Sequence, residues 1–510
     1  MTAGGGSGGD PFSWHPEPEL IGIRDPGRAR AALEAFGRAV WQASLDYVYD
    51  EGMRRPVAPE TYPEMRRAFF GPSGDPAPAP RSPSPSDQVL KEFRSRVAPF
   101  VFNAHHPGAF SYFTAPPLPA SIAGEVLSQW LHQGIDVWAA GPMGALVEEE
   151  VVTWLRDLVG FGDGSWGVLT SGGVMANVMA MTVARDVHLA GLLGVDEPPR
   201  GGALESVRVY ASDQTHFSIE RALEVLGFPR GTLSIVGSDA AFRLHGAPVE
   251  EAVERDRANG LVPLAISAVA GSTNTGSVDL VGELAAVAER HGLWLHVDAA
   301  YGGAARLSDR DAGRVPDLER ADSVTIDPHK WFFQAYDIGG LMVRRREDLL
   351  RTFHRSPEYY RSPKEAPLNW YQYSLEGTRR FRALKLWLSW KHLGTEGLGR
   401  LVERTNDLAA HLVRRCRELG SFEVAPASPE LSVVCFRHVP AGLEGEELDA
   451  YQDRLQRALE VDGSGWVSTT RLRGATYLRA GVVNYLSTPS DVDGVLEALL
   501  RLSPSVRDPS

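Results

Sequence analysis

The stretch Ser323-Val-Thr-Ile-Asp-Pro-His-Lys330-Trp331 ends a β-forming run in a polar turn that holds one lysine. At the carboxyl end of a strand, such a lysine projects into the crevice where open α/β sheets bind ligands. An ε-amine there can hold an aldehyde cofactor as an imine. An isolated lysine is more often a solvated turn residue, because exposure is the rule for lysines. Asp298 shifts that balance. It closes a second β-rich run, Trp294-Leu-His-Val-Asp-Ala-Ala-Tyr-Gly-Gly303, 32 positions upstream of Lys330. A strand-end carboxylate is what a pyridine nitrogen needs to remain protonated and serve as an electron sink. Taken alone, Asp298 reads equally well as a turn residue before Gly302.

Three further segments carry chemistry. Gly167-Val-Leu-Thr-Ser-Gly-Gly-Val174 leads into the helical run from Met175 to Arg185. Two glycines at a helix start expose backbone N–H groups where the helix dipole favours a phosphate, although a plain turn has the same pattern. His216, in Tyr210-Ala-Ser-Asp-Gln-Thr-His-Phe-Ser-Ile-Glu-Arg221, follows a strand. Its imidazole is suited either to stacking on a cofactor ring or to a hydrogen bond near the next helix. Ala270-Gly-Ser-Thr-Asn-Thr-Gly276 is a hydroxyl-rich loop suited to a phenolate or carboxylate, or simply a turn.

The elements that must position these residues alternate. Strands are expected at 207–211, 264–269, 294–297, 323–326 and 340–343, with amphipathic helical segments such as 280–291 between some of them. Asp279 is expected to cap that helix and Gly292 to end it. The alternation predicts an α/β sheet with mainly parallel strands. Beyond Leu384 come long helical stretches, a strand-like run at 431–436, a helix at 446–459, β-rich runs at 466–470 and 475–483, and a last helix near 492–502. These predict a smaller α+β carboxy-terminal domain. Helical spacing over 31–53 places amino-terminal helices against something else, after a Gly/Ser-rich tail and before a Pro-rich linker at 71–86.

The 510 residues carry a net charge of −13 and are 43% hydrophobic, enough for a large core and about three domains. That charge, with no concentrated Lys/Arg face, argues against nucleic acid as a partner. The longest apolar runs, such as 261–271, fall short of the ~20 residues that span a bilayer. Residues 1–9 lack the basic and apolar regions of a signal peptide, so no membrane association and a cytoplasmic location are expected. Cys416 and Cys435 give neither a disulfide framework nor a metal spacing, so buried inert thiols and no metal site are expected.

In order, the blocks DQTH-x-S-x-ERA, GSTNTGS, HVDAAYGG, DPHKW and GTRRFRALKLW resemble the group II pyridoxal-phosphate (PLP) dependent amino-acid decarboxylases. That family contains the aromatic amino-acid, glutamate and histidine decarboxylases. The resemblance runs from about Ala31 to the end and is sharpest from Pro107 to Trp387. It implies a PLP-dependent transferase fold of type I, aspartate-aminotransferase-like, with a mainly parallel seven-stranded central sheet and a smaller carboxy-terminal α+β domain. The implied division is a tail at 1–10, a helical segment at 11–118 packing on a dimer partner, a PLP-binding domain at 119–387 and a small domain at 388–510. A homodimer with the active site at the interface follows from it.

The resemblance also implies roles. Lys330 resembles the lysine that holds PLP covalently, and Asp298 the partner of the ring nitrogen. His216 resembles the histidine stacked on the ring, and Ala300 the small residue on the other face. Thr273 and His329 match positions lining cofactor and substrate carboxylate, while Gly172, Gly173, Val174 and Asp327 fall where the phosphate binds. Val174 departs from relatives that supply a hydroxyl there, leaving only its main-chain N–H. Gly377 and Thr378 resemble a phosphate contact reached from the other subunit, with Arg379 and Arg380 read alternatively as interface ion pairs. Tyr359, with Tyr360 adjacent, lies where decarboxylases carry a loop tyrosine that protonates the α-carbon. Tyr112, Phe113 and Tyr336 are expected around the substrate side chain, pointing to aromatic amino acids. Asp136 stands where the aromatic branch tends to place phenylalanine. It leaves open a non-aromatic, for example basic, substrate, and oxidative decarboxylation-deamination to an aldehyde is a further alternative.

Overall fold

The computed structural model describes Glu17, Leu20 and residues 25–51, 54–355 and 368–507. The chain divides into two compact units: Met1–Ala109 with Leu455–Trp466 and Glu497–Ser510, and Phe110–Arg454 with Val467–Leu496.

The second unit holds both sheets. Strands β1 (Trp166–Thr170), β2 (Val207–Ser212), β3 (Leu233–Val236), β4 (Val262–Val269), β5 (Trp294–Asp298), β6 (Ser323–Ile326) and β7 (Gly339–Val343) form a seven-stranded sheet in the order β1-β7-β6-β5-β4-β2-β3. Neighbours from β6 through β3 pair in parallel, whereas β7 is antiparallel to both β1 and β6. Strand β5 is buried along its whole length and β4 along all but its first residue, which is why both read as nearly continuous apolar runs. The register aligns Val269, Asp298 and Thr325 on β4, β5 and β6, so the turns after these strands open at one edge.

Every expected strand of the central sheet is present. Strands β1 and β3 had no counterpart, and β3 is a four-residue edge strand with one buried side chain, too short and wet to show alternation. The helix Val281–His291 ends at Gly292 in a left-handed conformation (φ 60°), as expected. Asp279 does not cap its start. The carboxylate instead accepts the backbone N–H groups of Leu244 (2.8 Å) and Val269 (2.7 Å), and burial pushes its acid up to about 7.

Beyond the long helix Ala383–Leu419, strands β8 (Phe422–Ala425), β9 (Val433–His438), β10 (Ser468–Leu472) and β11 (Ala475–Gly481) form an antiparallel sheet ordered β10-β11-β9-β8. Two of these lie about two residues later than expected. Cys416 and Cys435 are free and buried, and burial pushes each thiol up to about 12, so both are inert at neutral pH.

The first unit contains the helix Pro26–Asp46, capped by the Asp25 carboxylate on the N–H groups of Gly27 and Arg28. Trp41 and Tyr49, on this helix and the turn after it, are more than half exposed. Among the described residues, no helix is long and apolar enough to cross a membrane.

Candidate active site

Lys330 sits on the short helix Pro328–Trp331, directly after β6. Its Nζ lies 3.1 Å from Asp327 Oδ2. Burial pulls the ammonium pKa down, but the charges of Asp327 and Asp298 outweigh it and hold the pKa above the ordinary lysine value. Lys330 opens onto a cavity of about 420 Å³, which brings together most residues singled out in the sequence: Gly172, Gly173, Val174, His216, Thr273, Asp298, Ala300, Asp327, His329, Lys330 and Tyr336.

At one end of this cavity, Asp298 closes β5 and is buried. Its Oδ1 accepts the Ala300 N–H (3.1 Å) and its Oδ2 accepts the Asn177 side-chain amide (2.7 Å). His216 precedes the helix Phe217–Val225 and caps it, Nδ1 accepting the Ser218 N–H at 3.3 Å. Burial lowers the His216 pKa, which favours the neutral ring.

At the other end, the β1 turn enters the helix Gly173–Val183. Its first N–H groups lack intrahelical partners. Gly172 has φ 154°, rarely adopted by residues with a side chain, and a Cβ on Gly173 would come within 2.8 Å of Asp327 Oδ2. A Cβ on Gly339 would strike the Gly172 Cα at 2.5 Å. Only glycines allow β1, β7 and the lysine turn to meet this closely. His329 donates from Nδ1 to the Ile338 carbonyl (2.6 Å), and its ring lies against Tyr336 at 4.8 Å. Burial lowers its pKa as well.

Aromatic rings stack in series beside the lysine. Trp331 lies on Tyr301 (4.8 Å), Tyr301 on Phe113 (4.2 Å), and the Arg479 guanidinium covers the Phe113 ring at 4.8 Å. Lys330 Nζ is 5.9 Å from the same ring. Arg479, on β11, donates from Nε to the Thr273 carbonyl (2.8 Å), while its buried Nη2 has no partner among the described residues. Nothing in the local sequence marks Arg479 or Asn177 except polarity inside apolar runs.

Other expected residues stand apart from the cavity. Tyr112 is exposed, with φ 59°. Asp136 is half-buried, and its main-chain carbonyl accepts the Tyr371 N–H. Gly377 and Thr378 lie on an exposed turn. Arg379 is fully buried on Glu148, Ser374 and the Leu169 carbonyl, and Arg380 pairs with Glu125 and Asp337. These are ion pairs within one chain. Tyr359 and Tyr360 lie outside the described residues.

Residues 70–439 match the family model of the pyridoxal-dependent decarboxylase conserved domain. The chain belongs to this family. The decarboxylase is 30% identical over 431 residues to an aromatic-L-amino-acid decarboxylase of Bacillus atrophaeus, covering 84% of this chain and 87% of the relative. It is 28% identical to an L-2,4-diaminobutyrate decarboxylase of Acinetobacter baumannii (84% and 86%) and 30% identical to a human cysteine sulfinic acid decarboxylase (95% and 98%). Among solved structures it resembles Oryza sativa TDC with PLP and tryptamine, with a TM-score of 0.85, 26% identity and coverage of 95% and 99%. The decarboxylase is therefore a PLP-dependent enzyme acting on an amino acid, with the type I fold. The cavity fits that cofactor: a lysine amine opens onto it, a buried carboxylate stands at one end, and a glycine-walled helix start at the other.

Proposed function

We propose that the decarboxylase converts an aromatic L-amino acid to its amine and CO2. The observation that carries this reading is the Phe113 ring, held between Tyr301 and Arg479 and 5.9 Å from Lys330 Nζ. Tyr301 lines the cavity, and behind it Phe113 and Arg479 bring aromatic carbon and a buried positive charge close to the reacting amine.

When bound, PLP supplies a protonated ring that accepts the electron pair left as the bond to the carboxylate breaks. Lys330 holds it covalently, and Asp298 holds a proton at the ring nitrogen. His216 and Ala300 bracket the ring. The N–H groups at Gly172, Gly173 and Val174 hold the phosphate, with His329 beside them. Asp327 accepts from the Lys330 ammonium. Thr273 and Arg479 draw the substrate carboxylate toward one end of the cavity, and Tyr112 and Tyr336 border the side chain. Tyr359 returns a proton to the α-carbon after CO2 departs.

The enzyme acts as a homodimer in the cytoplasm. Val126, Leu127, Trp130 and Leu131 of the helix Pro119–Leu131 are exposed, as are Met143 and Leu146 on the next helix, an apolar patch of the kind buried between subunits. The exposed Gly377–Thr378 turn is free to reach a partner's phosphate site. Light scattering with Trp130→Glu tests this, and a wild-type monomer would refute it.

The test of the reaction is CO2 release from the twenty amino acids plus dopa, 5-hydroxytryptophan, ornithine and diaminobutyrate. The expected result is release from an aromatic substrate with stoichiometric amine. Turnover confined to ornithine or diaminobutyrate would favour a basic substrate read by Asp136, the reading supported by the similarity to a diaminobutyrate decarboxylase. Hydrogen peroxide and ammonia in place of amine would identify oxidative deamination.

A further inference from the structure

A buried hydrogen-bond chain joins the two residues assigned to the cofactor ring, and its direction is fixed at every link. Trp294 Nε1–H donates to Ser323 Oγ (2.9 Å), and Ser323 Oγ lies 2.9 Å from His296 Nδ1. His296 Nε2 lies 3.0 Å from Asn177 Oδ1, which also accepts the Thr325 hydroxyl (2.7 Å). Asn177 Nδ2 donates to Asp298 Oδ2 (2.7 Å) and to Ser218 Oγ (2.8 Å). Ser218 Oγ lies 2.8 Å from His216 Nδ1.

Donor-only and acceptor-only groups set the polarity. A carboxylate accepts, so the Asn177 NH2 faces Asp298 and its carbonyl faces Thr325 and His296. An amide oxygen accepts, so His296 carries its proton on Nε2 and takes the Ser323 hydroxyl at Nδ1. The Ser218 backbone N–H donates to His216 Nδ1, so that nitrogen is bare and Nε2 carries the proton. Asn177 is buried and has two donors and two acceptor sites, all four in use. Turning the amide over would set its oxygen against the Asp298 carboxylate. Burial holds His296 at about 4, consistent with a neutral ring at the centre of the chain.

We propose that Asn177 is a positioning residue for the cofactor ring: its four-bonded amide aims the Asp298 carboxylate at the ring nitrogen and couples it through Ser218 to a His216 fixed as the neutral Nε2–H tautomer. The proposal rests on the reading above that Asp298 and His216 flank PLP. Committed donors and acceptors in a dry site make such a network costly to break and specific in geometry.

The test is ring 15N NMR of the full-length protein labelled at histidine, with and without PLP, signals being assigned through His216→Gln and His296→Gln. In the wild type, His216 and His296 are expected to show a protonated Nε2 and a bare Nδ1 at neutral pH. Asn177→Leu should turn His296 into a mixture of tautomers and raise the PLP Kd about 10- to 100-fold, the scale seen when outer-shell partners are lost. Met179→Ala, a buried change in the same helix, should lower Tm and leave both readouts unchanged. Should Asn177→Leu fail to fold, Ser218→Ala decides: the His216 Nδ1 resonance must shift.

A wild-type His216 protonated at Nδ1 overturns the proposal. So does an Asn177→Leu protein whose ring signals and PLP affinity match those of Met179→Ala, or an unmoved Nδ1 resonance in Ser218→Ala. Wild-type protein that shows these ring states yet binds no PLP would refute the reading of the site and leave the chain intact.

Discussion

Two regions beside the cavity, the ring-nitrogen end and the surroundings of Lys330, follow opposite plans. Around Asp298, both carboxylate oxygens, the Asn177 amide, Ser218 and His216 have partners within the chain. Around Lys330 and Phe113, by contrast, Asp327 Oδ1 and Arg479 Nη2 are buried and have no partner among the described residues. A satisfied network keeps its shape whether or not a ligand is present, whereas orphaned groups mark where ligand atoms must arrive. The Asp298 network is thus finished by folding, and the surroundings of Lys330 are finished by chemistry.

The sharpest break of this contrast is Lys330→Ala. The visible cofactor band and borohydride-trapped adduct should vanish, and amine formation should fall by at least about 10³-fold. A trapped adduct that persists would assign the bond to another lysine. Asp298→Asn strikes the finished end and should lower kcat by about 10² to 10³, the scale of a lost preorganised electrostatic partner. A kcat within threefold of wild type would remove Asp298 from its role.

Arg479→Met strikes the unfinished end and should separate stability from activity. Losing a buried cation with an orphaned nitrogen should leave Tm unchanged or raised, while kcat/KM falls about 10- to 100-fold, mainly through KM. A drop in both would make Arg479 structural. The smallest effect is expected from Asp327→Asn. Burial depresses the Lys330 pKa, Asp327 is the strongest influence raising it, and the net direction is upward. Because a raised pKa reduces the free amine at a given pH, the substitution should move the pH profile of PLP capture toward lower pH. An unmoved profile, followed by absorbance, would show that Asp327 does not control the amine.

Sequence made the strand-end residues legible because each chemical group closes a β-run or follows it within one turn, as Asp298 and Lys330 do. Partnerships across the fold left no such trace. Asn177 meets Asp298 from 121 positions away, and Arg479 meets Thr273 from 206. Asp279 shows the limit of a local rule: an Asp before a helix looks like a cap, yet backbone donors from Leu244 and Val269 claim it. Tyr112, Phe113 and Asp136 were expected near the substrate, but in the single chain none of them lines the cavity.

The ring series beside Lys330 has an optical consequence. Trp331 adjoins the lysine in sequence, lies on Tyr301 and is anchored by its Nε1–H on Thr405. A chromophore attached at Lys330 would sit within energy-transfer range of this rigid indole, so indole emission should dim as the vitamin loads. The protein therefore carries its own fluorescent gauge of occupancy, readable during reconstitution without any added dye.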